Sequence, residues 1–189
     1  MTTIVVARKG KEAVLAADSL TTFGPVRLAP RYDRDPHKVI AYRDSFIGVA
    51  GSAAHQLVLE NLLGRNPDLD LHGKEAIYES FRRLHPILKE EAYLLTKEEE
   101  DDPYESSQMT VMIANPAGIF AVYSMREVFA FDRFWAIGSG RDFALGAMWV
   151  TYPRARSAEQ VAKTGVEAGA EFDTGSSLPM SLHKVTLAG

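Results

Sequence analysis

Cysteine is absent from this chain of 189 residues, which excludes disulfide bridges, thiolate metal ligands and a cysteine nucleophile. No apolar run approaches the roughly 18 residues of a membrane span, and the first residues lack the basic segment and apolar stretch of a signal peptide. An excess of Lys and Arg is also lacking: the formal net charge is -4, which argues against a nucleic-acid-binding surface. We therefore expect a cytoplasmic protein without a membrane or nucleic-acid partner.

Sequence motifs of the common enzyme classes are missing as well. The chain has no GxGxxG or GxxxxGK[ST] phosphate loop, no GxSxG nucleophile elbow and no HExxH zinc motif. Its acidic stretch KEEEDDPYESS lacks the ligand spacing of a calcium loop and is expected to be a solvated loop. Metal-ligand spacing is also absent among the histidines, which are His37, His55, His72, His85 and His183. The sequence thus predicts neither a metal site nor a cofactor.

The composition that remains is that of a globular protein, with 46% hydrophobic and 24% charged residues, and residues 1–189 fit one domain. The first two apolar runs, residues 3–7 and 13–17, predict a hairpin of strands that are covered on both faces. Residues 22–36 contain three prolines and are expected to form an irregular surface loop. Further strands are predicted at residues 38–41, 46–50, 109–114, 119–123, 128–131 and 180–187.

Helical periodicity marks the middle of the chain and its last third. GSAAHQLVLENLL has apolar residues at helical spacing, and a longer helix is predicted over residues 74–97 with a kink at Pro86. FWAIGSGRDFALGAMWV predicts a strand, a turn and a helix, while SAEQVAKTGVEAGAEF predicts a helix capped by Ser157 with Gln160 in a capping box. This order of strands and helix pairs favours an α+β fold, a four-layer αββα sandwich of two antiparallel sheets covered by helices.

One chemical feature stands out, the threonine that follows the initiator methionine. Methionine before a small residue is commonly removed, which would leave Thr2 with a free α-amino group beside its own hydroxyl. Such an amine has a pKa of about 7.7–8 in model peptides, so it can be neutral at physiological pH and accept the hydroxyl proton. Thr2 would then supply both the nucleophile and the general base of an acyl transfer.

A catalytic threonine needs charged neighbours, and Asp18 and Lys38 are the candidates. A cation would disfavour protonation of the amine and promote ionisation of the hydroxyl, while a carboxylate would hold the cation. The predicted hairpin returns Asp18 to the N-terminus, and Lys38 begins the next strand. From these two residues alone, an aspartate that starts a turn and a surface lysine are the more ordinary interpretations.

Four segments, in order along nearly the whole chain, resemble the proteasome β-subunit family and its bacterial relative HslV: TTIVVARKGKEAVLAADS, the strand start Lys38-Val39, GVAGSAAHQLVLENLL and AIGSGRDFALGAM. The resemblance implies the αββα fold of N-terminal nucleophile (Ntn) hydrolases and threonine-type endopeptidase activity. Within the family, the chain is most similar to a short bacterial proteasome homologue of the β-proteobacterial kind. We expect a catalytic β-type subunit, because the helical extension of α-subunits and a propeptide are both lacking before Thr2.

The same resemblance implies a role for individual residues. Thr2 would be the nucleophile, with Asp18 and Lys38 as the charged pair beside it and the backbone N–H of Gly51 as the oxyanion hole. The S1 substrate pocket would be lined by Thr21, Val49 and Ala53.

Secondary residues around the threonine amine are implied by the segments IGSG and EFDTGSS, where they are Ser139, Asp173 and Ser176. A turn serine and a loop aspartate remain alternative interpretations of the first two. HslV lacks the second segment, so this end of the chain looks more like a proteasome subunit. The stretch before Lys38 is longer than in either class, but Lys38 fits the pattern better than Arg34, which Asp-Pro follows.

By the same resemblance we expect a homo-oligomeric double ring, a tetradecamer in preference to a dodecamer, that acts on peptides and unfolded proteins. The family also allows an ATP-dependent unfoldase as a partner. Two other interpretations stay open. A β-type subunit that retains Met1 would be catalytically silent, because its threonine amine would lie in a peptide bond. An Ntn amidohydrolase acting on a small metabolite would have a polar pocket and no ring.

Overall fold

The computed structural model describes residues 1–97 and 99–188, and its strands form two main sheets and a small hairpin. The helices are α1 Ala53–Arg65, α2 Lys74–Glu90, α3 Arg141–Thr151 and α4 Ala158–Phe172. The strands are β1 Ile4–Lys9, β2 Glu12–Asp18, β3 Thr21–Phe23, β4 Val26–Leu28, β5 Val39–Tyr42, β6 Ser45–Ala50, β7 Thr110–Asn115, β8 Gly118–Val122, β9 Val128–Phe131, β10 Phe134–Ile137 and β11 Met180–Thr186. One sheet has the strand order β10-β1-β2-β11 and the other β5-β6-β7-β8-β9, and every pairing is antiparallel.

Three buried apolar clusters join these elements into four layers. One lies between the two sheets, one packs α1 and α2 on the five-stranded sheet, and one packs α3 and α4 on the four-stranded sheet. Successive side chains of a strand point to opposite faces. In β1, Ile4 and Val6 therefore enter the layer between the sheets, while Val5 and Ala7 pack under α3 and α4. This explains the unbroken apolar run and confirms the predicted αββα sandwich.

The strand register brings four segments together at one end of the strands of the four-stranded sheet. Ile4 pairs with Ala17 on one side and with Ile137 on the other, so the N-terminus lies between the end of β2 and the turn after β10. Met180, the first residue of β11, pairs with Asp18. The start of the chain is thus surrounded by residues that are distant in sequence.

Two sequence predictions of local structure are wrong in part. The loop predicted at residues 22–36 begins instead with the β3–β4 hairpin, whose turn contains Gly24 at a φ of +58°, and continues into a 3-10 turn at Pro30–Tyr32. The helix predicted to reach residue 97 ends at Glu90, although it does run through Pro86. It ends there because Tyr93 adopts a left-handed backbone, with a φ of +56°, and Leu94 N–H bonds back to the carbonyl of Leu88.

The helix starts follow the expected capping chemistry with one difference. Ser157 caps α4 by accepting the N–H of Gln160. The Gln160 side chain, however, accepts the N–H of Arg156 rather than that of the cap residue, so the capping box predicted there is wrong. Within the described residues, no helix combines the length and the apolar character that crossing a membrane requires.

Candidate active site

Thr2 is buried at the end of the four-stranded sheet where β1 begins, two residues before the first residue of that strand. Its hydroxyl Oγ1 accepts a hydrogen bond from the Lys38 Nζ at 2.5 Å. Lys38 reaches this point because it immediately precedes β5 of the facing sheet. The structure thus brings together the hydroxyl and the amine that the sequence paired across 36 residues.

Asp18, the last residue of β2, holds this lysine in place. Its Oδ1 accepts from Lys38 Nζ at 2.7 Å and from the N–H of Thr3 at 2.9 Å. Its Oδ2 accepts the N–H groups of Leu20 and Ser177 at 3.0 and 3.1 Å. A carboxylate with four donors is well compensated for its complete burial, and it fixes both the lysine and the backbone after Thr2.

Burial also changes the acid–base character of Lys38. Desolvation lowers the pKa of its ammonium below the usual value, whereas the nearby carboxylates of Asp18 and Asp173 act to raise it. The ammonium lies within hydrogen-bond distance of the Thr2 hydroxyl, where a positive charge favours the ionised oxygen. This arrangement supplies the electrostatic part of a threonine nucleophile.

A second network surrounds the backbone nitrogen of Thr2. The Thr2 N–H donates to Ser139 Oγ at 3.0 Å, and Ser139 donates in turn to Asp173 Oδ2 at 2.7 Å. Ser176 donates to the same carboxylate oxygen at 2.7 Å and lies 2.7 Å from the hydroxyl of Thr3. The three residues implied by IGSG and EFDTGSS are therefore joined through the Asp173 carboxylate, and Ser139 connects them to the nitrogen that would be the general base.

Main-chain atoms enclose the first three residues closely. A Cβ at Gly138 would lie 2.1 Å from the Thr2 carbonyl oxygen, and one at Gly140 would lie 2.0 Å from the Thr3 hydroxyl. Gly169, on α4, approaches the same Thr3 side chain, with 2.4 Å from an added Cβ to its hydroxyl. Gly175 approaches Met1 in the same way. We call Gly138, Gly140, Gly169 and Gly175 the glycine contacts; they leave no space for a side chain beside the N-terminus.

Met1 is present in the structure and lies next to this network. Its side chain is 55% exposed and packs on Gly175, where an added Cβ would lie 2.0 Å from that of Met1. While Met1 is retained, the nitrogen of Thr2 belongs to a peptide bond, and its N–H donates to Ser139 Oγ.

Gly51 lies between the end of β6 and the start of α1. Its φ of +155° is one that L side chains rarely adopt, and an added Cβ would lie 2.7 Å from His55 Nδ1 and 3.2 Å from the Gln108 carbonyl. A glycine is required here on both grounds.

The three residues expected to line the S1 pocket come from three different elements. Thr21 begins β3 and is partly buried, Val49 is buried in β6, and Ala53 is exposed at the first position of α1. Val49 belongs to the apolar cluster between the five-stranded sheet and the helix pair. Their shared role in substrate binding stays a prediction.

Two surface cavities lie elsewhere on the molecule. One of about 360 Å³ is lined by residues of α2 and by Val128, and one of about 230 Å³ is lined by Trp149, Tyr152 and neighbours. Neither cavity is lined by a residue of the Thr2 network, so the cavities and the candidate catalytic residues lie in different parts of the molecule. A buried lysine that is bonded to both a carboxylate and a hydroxyl is the stronger sign of a reactive site. Within the described residues, no three His, Asp or Glu side chains are grouped as metal ligands would be.

Several contacts in the site were not anticipated from the sequence. Asp18 is held mainly by backbone N–H groups, including those of Leu20 and Ser177, and backbone donors leave no trace in residue identity. The His55 side chain contacts the Gly51–Ser52 turn. Its position three residues after Ser52 is the capping-box position, but the residue there is usually Glu or Gln, so the signal was present in an unusual form.

Comparisons with known proteins agree with this geometry. No protein-family model matches the chain, and no curated protein matches it. Among solved structures, BPH from Thiobacillus denitrificans is 37% identical in sequence, with a TM-score of 0.93 over 98% of each chain. The same protein in complex with epoxomicin is 36% identical, with a TM-score of 0.92 over 99% of this chain and 100% of that chain.

A more distant neighbour carries the same architecture. HslV from Trypanosoma brucei has a TM-score of 0.74 at 19% identity, over 97% of this chain and 99% of that chain, which shows a common fold. The BPH likeness goes further, since it spans nearly the full length of both chains at more than a third identity. The chain therefore has the proteasome-type fold of the Ntn hydrolases and belongs to the proteasome β-subunit and HslV family.

Proposed function

We propose that this chain is a threonine-type N-terminal nucleophile endopeptidase of the cytoplasm, and that residues 1–189 act as one proteasome β-type peptidase domain. The observation that carries the proposal is the pair of short contacts at Lys38, whose Nζ lies 2.5 Å from Thr2 Oγ1 and 2.7 Å from Asp18 Oδ1. A buried lysine held by a carboxylate and directed at a hydroxyl is arranged to activate that hydroxyl.

The first chemical step requires removal of Met1. The freed α-amine of Thr2 accepts the proton of Oγ1 while Oγ1 forms a bond to the carbonyl carbon of the scissile peptide. The π electron pair of the carbonyl moves to its oxygen, and the N–H of Gly51 donates to the resulting oxyanion. A donor of this kind is typically worth about 3–4 kcal/mol in the transition state.

The second step expels the leaving group and frees the enzyme. The electron pair returns to re-form the carbonyl, the C–N bond breaks, and the Thr2 ammonium gives its proton to the departing amine. Water then attacks the ester on Oγ1 with the amine again as the base, which releases the carboxylic acid product and restores the hydroxyl. Ser139 and Asp173 would hold the amine on the correct side of the hydroxyl during both steps.

Assembly into a homo-oligomeric double ring belongs to the same proposal. Exposed apolar side chains on α3 and at the end of α4 support it: Trp149 is 68% exposed, while Val150 and Phe172 are both 66% exposed. We propose a tetradecamer, with a dodecamer as the alternative, acting on peptides and unfolded proteins, with an ATP-dependent unfoldase as a candidate partner. Light scattering of the native protein tests the ring, and a stable monomer would contradict it.

A catalytically silent subunit is the second candidate: a protein that retains Met1 would keep the Thr2 nitrogen in a peptide bond and would lack the general base. In that case the chain would assemble without cleaving peptides. N-terminal mass analysis of the purified protein shows whether Met1 is removed, as the peptidase requires, or retained, as the silent subunit requires.

The test of the peptidase combines that mass analysis with hydrolysis of short fluorogenic peptides by the wild type, Thr2→Ala and Thr2→Ser. We expect a wild type without Met1 that cleaves peptides, measurable cleavage by Thr2→Ser, and none by Thr2→Ala. Because BPH was solved with epoxomicin, this compound is a suitable inhibitor, and we expect it to abolish wild-type hydrolysis. Equal turnover by the wild type and Thr2→Ala would exclude the threonine mechanism.

A further inference from the structure

We propose that His55 is a positioning residue for the oxyanion donor: its neutral imidazole fixes the turn at Gly51 and Ser52 and thereby aims the Gly51 N–H. The inference rests on the proposed function, which assigns the oxyanion hole to Gly51. His55 is a positioning residue because its contacts are with the turn.

The imidazole replaces the side chain that usually completes a capping box. Ser52 is the N-cap of α1, and its own N–H donates to His55 Nδ1 at 3.1 Å. The N–H of His55 donates to the Ser52 carbonyl at 3.0 Å, and the N–H of Ala54 reaches Ser52 Oγ at 3.4 Å. The two residues are therefore bonded in both directions across the first turn of the helix.

The same ring packs directly on Gly51. The 2.7 Å between His55 Nδ1 and an added Cβ means that the imidazole occupies the place of a side chain at Gly51. The Gln108 carbonyl approaches the glycine as well, at 3.2 Å from the added Cβ. Gln108 is itself fixed, with a φ of +51° and its N–H bonded to Ser106 Oγ at 2.8 Å. The imidazole and this carbonyl thus both crowd the side of Gly51 where a Cβ would stand, which restricts the conformation of its peptide.

The arrangement works in only one protonation state of His55. Nδ1 can accept the Ser52 N–H when it carries no proton, whereas the imidazolium has a donor at both nitrogens and would oppose that N–H. Burial lowers the pKa of His55 below its ordinary value, which keeps the accepting form populated.

The charged groups around this turn belong to neighbouring segments. His37, whose carbonyl accepts from Gln56 Nε2 at 2.6 Å, and Lys38 both precede β5, which packs beside α1. Asp18 is engaged with Lys38, and the loop behind Gly51 presents the Gln108 carbonyl. In the described part of the chain, His55 forms no ion pair with any of them. Its titration is therefore set by its own burial.

The decisive variants are His55→Leu, which has similar bulk and no acceptor, and His55→Gln, whose amide oxygen can accept the Ser52 N–H without titrating. Complete removal of one oxyanion donor typically costs about 10²–10³ in kcat, and a misdirected donor retains part of that effect, so we expect kcat for a fluorogenic peptide to fall about tenfold in His55→Leu with KM little changed. His55→Gln should restore most of this loss. A His55→Leu enzyme with wild-type kcat, or a His55→Gln enzyme as slow as His55→Leu, would overturn the proposal.

The pH profile gives a readout that a merely structural residue would not move. Protonation of the Thr2 amine alone makes log kcat/KM fall on the acid side with a slope of about 1, and protonation of His55 at lower pH adds a further drop of about tenfold, which makes the limb locally steeper than 1. We expect the steeper limb in the wild type and in the control variant His72→Gln, and its absence in His55→Gln. A steep limb that persists in His55→Gln would overturn the proposal.

Hydrogen exchange of the native assembly separates this proposal from the peptidase function. In the wild type, the Ser52 amide, which donates to His55 Nδ1, should be protected at neutral pH and lose protection as His55 protonates, and it should be unprotected at all pH values in His55→Leu. Unchanged exchange in His55→Leu would overturn the positioning role even in an active enzyme. Wild-type and Thr2→Ala proteins that are equally inactive would overturn the peptidase instead, while the exchange data still decide the contact.

Discussion

Two ionic groups of this molecule have the same chemistry and opposite surroundings. Lys38 and Asp18 are 2.7 Å apart, with side-chain exposures of only 10% and 0%. On the outer face, Glu159 of α4 pairs with Lys163 at 2.5 Å and with Lys184 of β11, at exposures of 26% for the glutamate and 46% and 53% for the lysines. The distances between the charged atoms are similarly short in the two groups, and the groups differ in how far their side chains are exposed to solvent.

That difference decides what each group can do. The hydrogen bonds from Lys163 and Lys184 lower the pKa of the Glu159 carboxyl to about 2. Because water screens these exposed pairs, they contribute little to the free energy of unfolding. The Lys38–Asp18 pair is removed from water, which lowers the pKa of the lysine and makes every missing partner costly. The Thr2 hydroxyl lies beside Lys38 of the buried pair, where water screens the charges less.

The largest effect is expected for Asp18→Ala, which leaves Lys38 without its counter-charge and three backbone N–H groups without an acceptor. Breaking a buried pair in this way costs roughly 3–5 kcal/mol of the free energy of unfolding. Chemical denaturation of variant and wild type measures it, and peptide hydrolysis should be lost as well. A variant as stable as the wild type would show that the pair is dispensable to the fold.

Lys38→Met should be less destabilising and equally inactive. Asp18 keeps its three backbone donors, so we expect a loss of about 2 kcal/mol in the free energy of unfolding, while peptide cleavage falls below detection. In the double variant Asp18→Ala/Lys38→Met, the destabilisation should be smaller than the sum of the two single effects. Strict additivity would mean that the two side chains do not interact.

Ser139→Ala tests the network around the Thr2 nitrogen, which lies between the two extremes of burial. Loss of the bonds from Thr2 and to Asp173 should lower the free energy of unfolding by about 1 kcal/mol and kcat by about tenfold. The exposed neighbour Thr174 offers a control, since Thr174→Ala should leave both quantities unchanged. Wild-type kcat in Ser139→Ala would remove Ser139 from the mechanism.

The smallest effect is expected for Glu159→Gln. Because the folded pKa of this carboxyl is lowered, its pairs stabilise the fold above pH 4.5 and are lost as the pH falls towards about 2. The melting temperature at neutral pH should drop by less than about 3 °C, with a smaller drop in high salt, and peptide cleavage should be unchanged. A large loss of activity would show that the outer pairs reach the site after all.

The architecture could be predicted where a pattern repeats over many residues. The apolar runs at the start of the chain indicated strands buried on both faces, and the helix pairs indicated the outer layers. The β3–β4 hairpin was missed because three-residue strands have no measurable period, and because Pro25 and the two prolines that follow the hairpin indicated a loop. The end of α2 was missed because the residue with a left-handed backbone after the helix is Tyr93, whereas the usual signal at such a position is glycine or asparagine.

The site was predictable as far as residue types carry chemistry. The hairpin and the strand order offered Asp18 and Lys38 as candidate neighbours of Thr2, the family resemblance favoured them over a turn aspartate and a surface lysine, and the structure brings the three into contact. The family resemblance was needed for Ser139, Asp173 and Ser176, whose meeting depends on long-range folding that no spacing reveals. The roles of all these residues, and of Gly51, remain predictions for the experiments above.

The glycine contacts give the reactive end an unusual sensitivity to sequence change. Main-chain atoms at Gly138, Gly140 and Gly169 lie where any added methyl group would push on Thr2 or Thr3. None of these positions has a functional group, yet each would move Thr2 or Thr3 relative to Lys38 if it became alanine. A survey of single methyl additions along the chain would therefore outline the surroundings of Thr2 through residues that carry no side chain.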